Sequence, residues 1–436
     1  MVVYNNMLDI KFIRENKDIV IAGAKKKHID VDIEALLALD EKRRELQATV
    51  DNKRAEQNAA STAIASAKTD TERQAVIASM QILKESLRAE EESLQGILKE
   101  WRALMVHVPN VPDMSVPEGD SDADNQEVRR WSPKDGEGGG PARFSFEPKS
   151  HVDLMLALDM ADFERGAKVA GFRGYFLKGD GARLSWAIWH YAQEFFLKKE
   201  FVPMIVPSLV RREPFLGTGY LPQSEEDLYK TQDGDYLAGT AEVATMGYHM
   251  DEVLDRSQLP MKFLSFSPCF RREAGAHGKD TRGMIRVHEF YKWEQVMLCE
   301  ANHAESVKWH EWINRNTEEF IESLKIPYHT VINCGGDLGL GQVKKYDIEL
   351  WVPGEKTYRE IASTSYFHDF QTRRLNTRYR AQDGAIRFTH SLNGTAIPTP
   401  RILVSIIENY QQADGSITIP EALRTYMGKD VIEKRS

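Results

Sequence analysis

A chain of 436 residues, 42% of them apolar, is long enough for more than one domain and can bury at least one large core. A net charge of −9 with 28% charged residues excludes a protein that holds nucleic acid through its overall charge, so any such contact has to come from local basic patches. Three widely spaced cysteines, Cys269, Cys299 and Cys334, exclude a disulfide framework or a CxxC zinc site and fit a reducing cytoplasm; Met1 to Met7 lack the make-up of a signal peptide, and no apolar run is long enough to cross a membrane.

From about residue 31 to 106 there is no proline and almost no glycine, and apolar residues recur at three- and four-residue steps, which predicts helix. In the second half Val76, Met80, Leu83, Leu87, Leu94, Ile97, Trp101 and Leu104 form a heptad seam with one polar break at Glu90. The first half is weaker: Leu36, Leu39, Leu46, Val50, Ala60, Ile64 and Ala67 fit, while Arg43, Lys53 and Gln57 interrupt. Between them the pattern is lost over Lys68 to Arg73, and Asp70 or Thr71 is the expected N-cap of the second helix. The prediction is an antiparallel hairpin whose helices each reach about 50 Å. Such a rod suits dimerisation, or contact with a distant feature of an RNA through Lys25-Lys26-Lys27, Lys42-Arg43-Arg44 and Lys53-Arg54.

Residues 107–150, with Pro109, Pro112, Pro117, an acidic run and Gly138-Gly139-Gly140, read as linker. From 151 to 436 β-rich segments such as Val202 to Pro207 mix with helical ones such as Leu184–Lys198 and Ala304–Leu324. Neither a βαβ rhythm nor a glycine-rich phosphate loop is present, so an antiparallel sheet flanked by helices is expected, giving an α+β chain.

The chemistry concentrates in Phe270-Arg271-Arg272-Glu273 and Val287-His288-Glu289-Phe290-Tyr291-Lys292-Trp293-Glu294. On a strand, Arg271 and Glu273 share a face, where the arginine can hold a phosphate and the glutamate can accept from an adenine amine. Phe290 and Glu294 share a face on a returning strand, so a purine can stack there. Activation of a carboxylate by ATP rests on positioning and on neutralising phosphate charge, which makes Arg271 and Arg401 the candidate catalytic residues.

With Thr240-Ala241-Glu242 upstream and Asn393-Gly394-Thr395-Ala396-Ile397-Pro398-Thr399-Pro400-Arg401 downstream, the set resembles the class II aminoacyl-tRNA synthetases, and among them the seryl-tRNA synthetase family in its bacterial form. The resemblance runs nearly end to end. It implies a tRNA-binding domain over 1–106 and a class II catalytic domain over 151–436. It further implies ligation of L-serine to tRNA(Ser) through a seryl-adenylate, with release of AMP and diphosphate, in a cytoplasmic homodimer. Pro207 would lie at the dimer interface, and tRNA(Sec) stays open as a second substrate. By the same resemblance ATP, as substrate, meets Arg271, Arg272, Glu273, Val287, Phe290, Glu360, Ile361, Ala362, Ser363 and Arg401, and Mg²⁺ takes Glu360 and Ser363. Serine meets Thr240, Ala241, Glu242, Arg271, Glu294, Asn393 and Thr395, while the loop with Arg272, His277, Lys279, Arg282 and Arg286 faces the tRNA acceptor end.

Two local alternatives stand beside these roles: Glu294 as a structural carboxylate bound to Lys292 or Arg272, and Glu360 as a solvated strand residue. The chain departs from the family pattern at Ala362, Thr364 and Tyr366, and at Glu289 in place of the usual glutamine. A paralogue that loads a carrier protein, and a coiled-coil protein with a dead catalytic fold, are the competing functions; the long arm speaks against the first and the intact Arg271, Glu273, Glu360 and Arg401 against the second.

Overall fold

The computed structural model describes residues 8–141, 143–275, 278, 280 and 282–434. These divide into two compact units, one made of residues up to 25 and 29–109, the other of 26–28 and those from 110 onward.

In the first unit the heptad pattern becomes two long helices, α1 (Ile33–Ser66) and α2 (Asp70–Met105). Leu87 and Leu94 bury against Val50, with Leu46 and Leu98 alongside. The polar interruptions turn out to be partners: Lys53 Nζ reaches Glu90 Oε1 at 3.1 Å and Ser86 Oγ at 2.6 Å, so the two seam breaks answer each other across the hairpin. Arg43 lies over the Trp101 ring at 5.4 Å and bonds the buried Asp40, so its stem packs while its charge is matched. The expected cap at Asp70 or Thr71 is corrected to Thr69, whose side chain accepts from Glu72 N at 3.3 Å. Thr69 is still extended, as a cap must be, whereas Asp70 is already the first helical residue and sets its negative charge at the positive end of the helix.

The second unit is built on a nine-stranded sheet. Its strands in chain order are β1 (Gln126–Ser132), β2 (Gly136–Glu137), β3 (Val202–Ile205), β4 (Met261–Phe270), β5 (Glu289–Cys299), β6 (Tyr328–Ile332), β7 (Lys344–Val352), β8 (Thr357–His368) and β9 (His390–Thr399). They lie side by side as β2-β1-β6-β7-β8-β9-β5-β4-β3, and every pairing is antiparallel except β4 with β3. The stretch 107–150 is therefore not linker throughout: Trp131 pairs with Tyr328 and stacks on it at 6.0 Å, carrying β1 into the sheet despite its proline- and glycine-rich flanks.

Helices α3 (Asp180–Leu197), α4 (His303–Ser323) and α5 (Arg401–Asn409) supply Ile188, Phe196, Ile313, Phe320, Ile402 and Ile406 to one core with the sheet's Trp293, Met297, Ile348, Leu350 and Ile397. Alternation along the strands sends the other residues to the opposite face. There Lys292 and Glu294 flank the core-facing Trp293.

Candidate active site

On that face a cavity of about 610 Å³ is lined by Arg271, Glu273, Arg286, Lys345, Asp347, Glu360 and Arg401, among others. Arg271 follows the last residue of β4; its Nε donates to Gly239 O at 3.3 Å and its guanidinium lies 5.2 Å from the Phe290 ring centre. The expectation that Arg271 and Glu273 share the face of one strand needs correction. The ladder ends as Arg271 N bonds His288 O at 2.9 Å, after which Arg272 N turns to Asp227 O and Glu273 adopts φ 55°. Both residues still line the cavity, because the turn rather than strand alternation aims them. Arg272 leaves: its Nη1 donates to Glu226 O at 3.0 Å. The Glu273 carboxylate accepts from Arg286 Nη1 at 2.6 Å.

Arg401 opens α5 and is fixed by two carbonyls, donating to Ile285 O and Glu360 O at 2.8 Å each. Burial lowers its pKa, with the Glu360 charge opposing that and Arg271 and Arg286 adding to it. Glu360 is an exposed strand residue at the cleft wall, as one alternative had it; the crowding of the cleft works to raise its carboxyl, but Arg401, Lys345 and Arg271 hold it below its ordinary value.

Glu360 and Ser363 are three apart, a spacing that puts residues of a regular strand on opposite faces. The register opposite β7 slips here, with Glu360 facing Glu349 and Ala362 facing Ile348, so Ile361 is the extra residue of a β-bulge. Ile361 and Ala362 both bury in the core, and Glu360 and Ser363 come out on one side. The side chains of Ile361 and Ala362 therefore face away from the cleft, leaving only their backbone to meet a ligand. Val287 is likewise buried, while Ile285 lines the cavity.

Beside this cleft, behind Arg271 and Gly239, lies a cluster of buried polar side chains. Glu294 faces Thr395 directly across the β5–β9 ladder, at a second bulge formed by Ala396. Lys292 Nζ contacts Glu294 Oε2 and donates to Thr240 Oγ1 at 3.0 Å and Thr395 Oγ1 at 3.4 Å. Glu294 is thus bound to Lys292, as one alternative had it, and not to Arg272. Asn393 precedes Thr395 by two on β9 and is half-buried. Thr240 and Ala241 lead into the short helix α6 (Glu242–Gly247), and Glu242 is 3% exposed, accepting from Tyr220 OH at 2.9 Å. Burial pushes its carboxyl up to about 7; Gln371 and Tyr220 hydrogen bonds and the Lys292 charge pull against this, and Glu294 adds to it.

The departures from the family pattern fall mostly off the pocket: Ala362 is in the core, Tyr366 is buried and bonds Asp113 at 2.8 Å, and Glu289 is exposed. His277 and Lys279 lie outside the described residues, as do Met1 to Met7. Sequence reasoning gave no role to Lys345 and Asp347, which pair at 3.1 Å in the cleft. Their i, i+2 spacing on a strand was the available signal.

The family model for the class II tRNA synthetase core domain (G, H, P, S and T) matches residues 228–410, the span that holds most of the cleft's lining and the buried Lys292, Glu294, Thr240 and Thr395. A second, for the seryl-tRNA synthetase N-terminal domain, matches residues 7–112. The serine--tRNA ligase of Thermodesulfovibrio yellowstonii is 42% identical over 432 residues, covering 98% of this chain and 100% of the relative. That of Deinococcus radiodurans is 42% identical over 423 residues, covering 97% and 98%. Among solved structures, seryl-tRNA synthetase from Pyrococcus horikoshii complexed with ATP has a TM-score of 0.89 at 36% identity, covering 99% of this chain and 100% of that one. The chain belongs to the seryl-tRNA synthetase family.

Proposed function

We propose that this chain ligates L-serine to tRNA(Ser), using ATP as co-substrate and passing through a seryl-adenylate. The observation that carries the proposal is the adjacency of two sites of different chemistry: an open, arginine-lined cleft and a small desolvated pocket built on Lys292, Glu294, Thr240 and Thr395. A serine carboxylate oxygen attacks the α-phosphorus, its bond to the bridging oxygen breaks, and diphosphate leaves. Arg271 and Arg401 hold the phosphates in line and meet the charge that develops, with no proton transfer asked of either. In the second step a ribose hydroxyl at the tRNA end attacks the acyl carbon and AMP leaves.

Glu294 accepts from the serine hydroxyl and Thr395 completes its hydrogen bonding; Thr240, Ala241, Glu242 and Asn393 complete the amino-acid site. An alanine substrate would leave these buried groups unpaired, which is how such a pocket discriminates. Glu273 reads the adenine once Arg286 releases it, and Phe290 offers the ring face.

The donor set fits Mg²⁺: Glu360 and Ser363 present a carboxylate held in its charged form and a hydroxyl on one side of the bulge. Bound there with phosphate oxygens, the ion would neutralise charge on the departing diphosphate. The homodimer is supported by exposed apolar residues on either side of Pro207: Val202 at 55% and Ile205 at 87% on the edge strand β3, and Leu209 at 52% just beyond it. The arm is assigned to tRNA(Ser), with tRNA(Sec) as a candidate second substrate. A cytoplasmic site of action is supported by three buried free cysteines.

The test is amino-acid-dependent ATP–diphosphate exchange across all twenty amino acids. Serine alone should support fast exchange. A preference for glycine or alanine would overturn the assignment and favour a carrier-loading enzyme.

A further inference from the structure

Behind the Glu242 carboxylate runs a line of buried side chains that the reaction above does not use. Gln371, on the short helix α7 (Phe370–Leu375), is 1% exposed. Its Nε2 donates to Glu242 Oε1 at 2.7 Å and to Thr218 O at 3.4 Å. Its Oε1 accepts from Ser391 Oγ at 2.8 Å. The orientation of this amide is dictated by its surroundings. An ionised carboxylate and a carbonyl can only accept, so the NH₂ end must face them, and the oxygen end then accepts from the Ser391 hydroxyl.

We infer that Gln371 is a positioning residue for the amino-acid site, clamping Glu242 in its ionised form so that the carboxylate presents a full negative charge to the ammonium of the substrate. This rests on the assignment of Glu242 to serine binding made above. Each carboxylate oxygen keeps a second lone-pair direction after the Gln371 and Tyr220 bonds are made, so both bonds are compatible with a bound ammonium.

The need for a clamp follows from what surrounds Glu242. Burial disfavours its charge and Glu294, from β5, adds like-charge repulsion; Lys292, also from β5, and the Gln371 and Tyr220 hydrogen bonds oppose them. Tyr220 itself stays a neutral donor, its pKa raised by burial and by Glu242, with Arg271 acting the other way. With the carboxyl at about 7, loss of one donor moves its titration through neutrality. Ser391 lies on β9 four residues before Thr395, so the clamp and the far wall of the pocket share a strand.

Gln371→Met keeps the length of the side chain and removes the amide. Its KM for serine at neutral pH should rise by about fivefold, the fall in the ionised fraction of Glu242 when a pKa of about 7 moves up by one unit, while its KM for ATP stays within about twofold. The acidic limb of kcat/KM for serine should move up by about one pH unit, so that the deficit shrinks in alkaline buffer. Ser391→Ala, which frees the amide oxygen but keeps the amide, should give a smaller shift in the same direction, and decides the matter if the methionine variant does not fold. An unshifted limb in a folded variant, or equal and pH-independent losses for serine and ATP, would overturn the inference. Glu242→Gln, measured alongside, separates the two layers. If that variant keeps its serine KM, the assignment of Glu242 falls; if it loses serine and Gln371→Met does not, only the role of Gln371 falls.

Discussion

Replacing Lys292 by methionine tests whether the pocket is held by its ion pair. The Lys292 and Glu294 side chains are 7% and 3% exposed, so the pair is out of water and unscreened by salt. Methionine keeps most of the stem but leaves Glu294 as a buried carboxylate facing only hydroxyls, and strips Thr240 and Thr395 of their donor. Breaking one side of a buried pair costs about 3–5 kcal/mol, much of it the penalty for the charge left behind. Removing that charge as well, in Lys292→Met with Glu294→Gln, should recover most of the loss, since a neutral, well-packed pair is close to isoenergetic with a buried ion pair. Urea unfolding of the sheet-bearing unit, followed by tryptophan fluorescence, gives the two stabilities and their coupling, for which about 2–3 kcal/mol is expected. Activity should not follow stability: the double variant has regained its fold but lacks the carboxylate that reads the serine hydroxyl, and its serine-dependent exchange should stay low. A single variant that loses less than about 1 kcal/mol would refute the energetic argument. A double variant with normal serine exchange would refute the chemical one.

Arg271→Ala and Arg401→Ala should each slow adenylation by about a hundredfold or more, on the order of 3 kcal/mol of transition-state stabilisation, measured by exchange at saturating ATP; a near-normal rate removes that arginine from the mechanism. Replacing residues 31–106 by a short linker should leave serine-dependent exchange largely intact while aminoacylation of tRNA collapses, because the two units fold around separate cores. Equal loss of both activities in a folded product would count against that separation. Three histidines make stability depend on pH: burial lowers His310 to about 4, His368 to about 4 and His390 to about 3, so each is neutral in the fold and charged when unfolded. Their contribution is complete above the ordinary histidine value of 6.5 and is lost as pH falls from there toward 4, by on the order of 3 kcal/mol for His310. Urea midpoints that do not change between neutral pH and pH 4.5 would contradict it.

The arm was legible because its signal is periodic and local. Leu87, Leu94 and Trp101 repeat at heptad spacing and do bury. What the pattern could not reveal was that Lys53 and Glu90, each a flaw in its own helix, are 3.1 Å apart, since that depends on the register between helices. In the catalytic unit, residue identity was more legible than geometry. Arg271 and Glu273 do line one cleft, but through a turn at φ 55° that strand alternation does not foresee. Gln371 left no trace at all. It meets Glu242 across 129 residues of sequence, and nothing near either position marks the other.

Two bulges carry much of the chemistry that sequence spacing misstates. A regular β8 would turn Glu360 and Ser363 to opposite faces; the extra residue at Ile361 brings both to the side that Asp347 and Glu349 share and lets Ile361 and Ala362 go inward together. A regular β9 would count Ile397 and Thr395 onto one face, yet Ile397 belongs to the core and Thr395 to the polar pocket. The extra residue at Ala396 resolves this, setting Ile397 opposite Trp293 and Thr395 opposite Glu294. In both strands the bulge lets an apolar anchor and a polar ligand sit closer in sequence than alternation allows. The sheet that fills the core can therefore also present its functional groups, with the rigidity of a packed strand behind each one. A loop placing Glu360 or Thr395 would have to order itself when substrate binds; a bulged strand has met that entropic cost on folding.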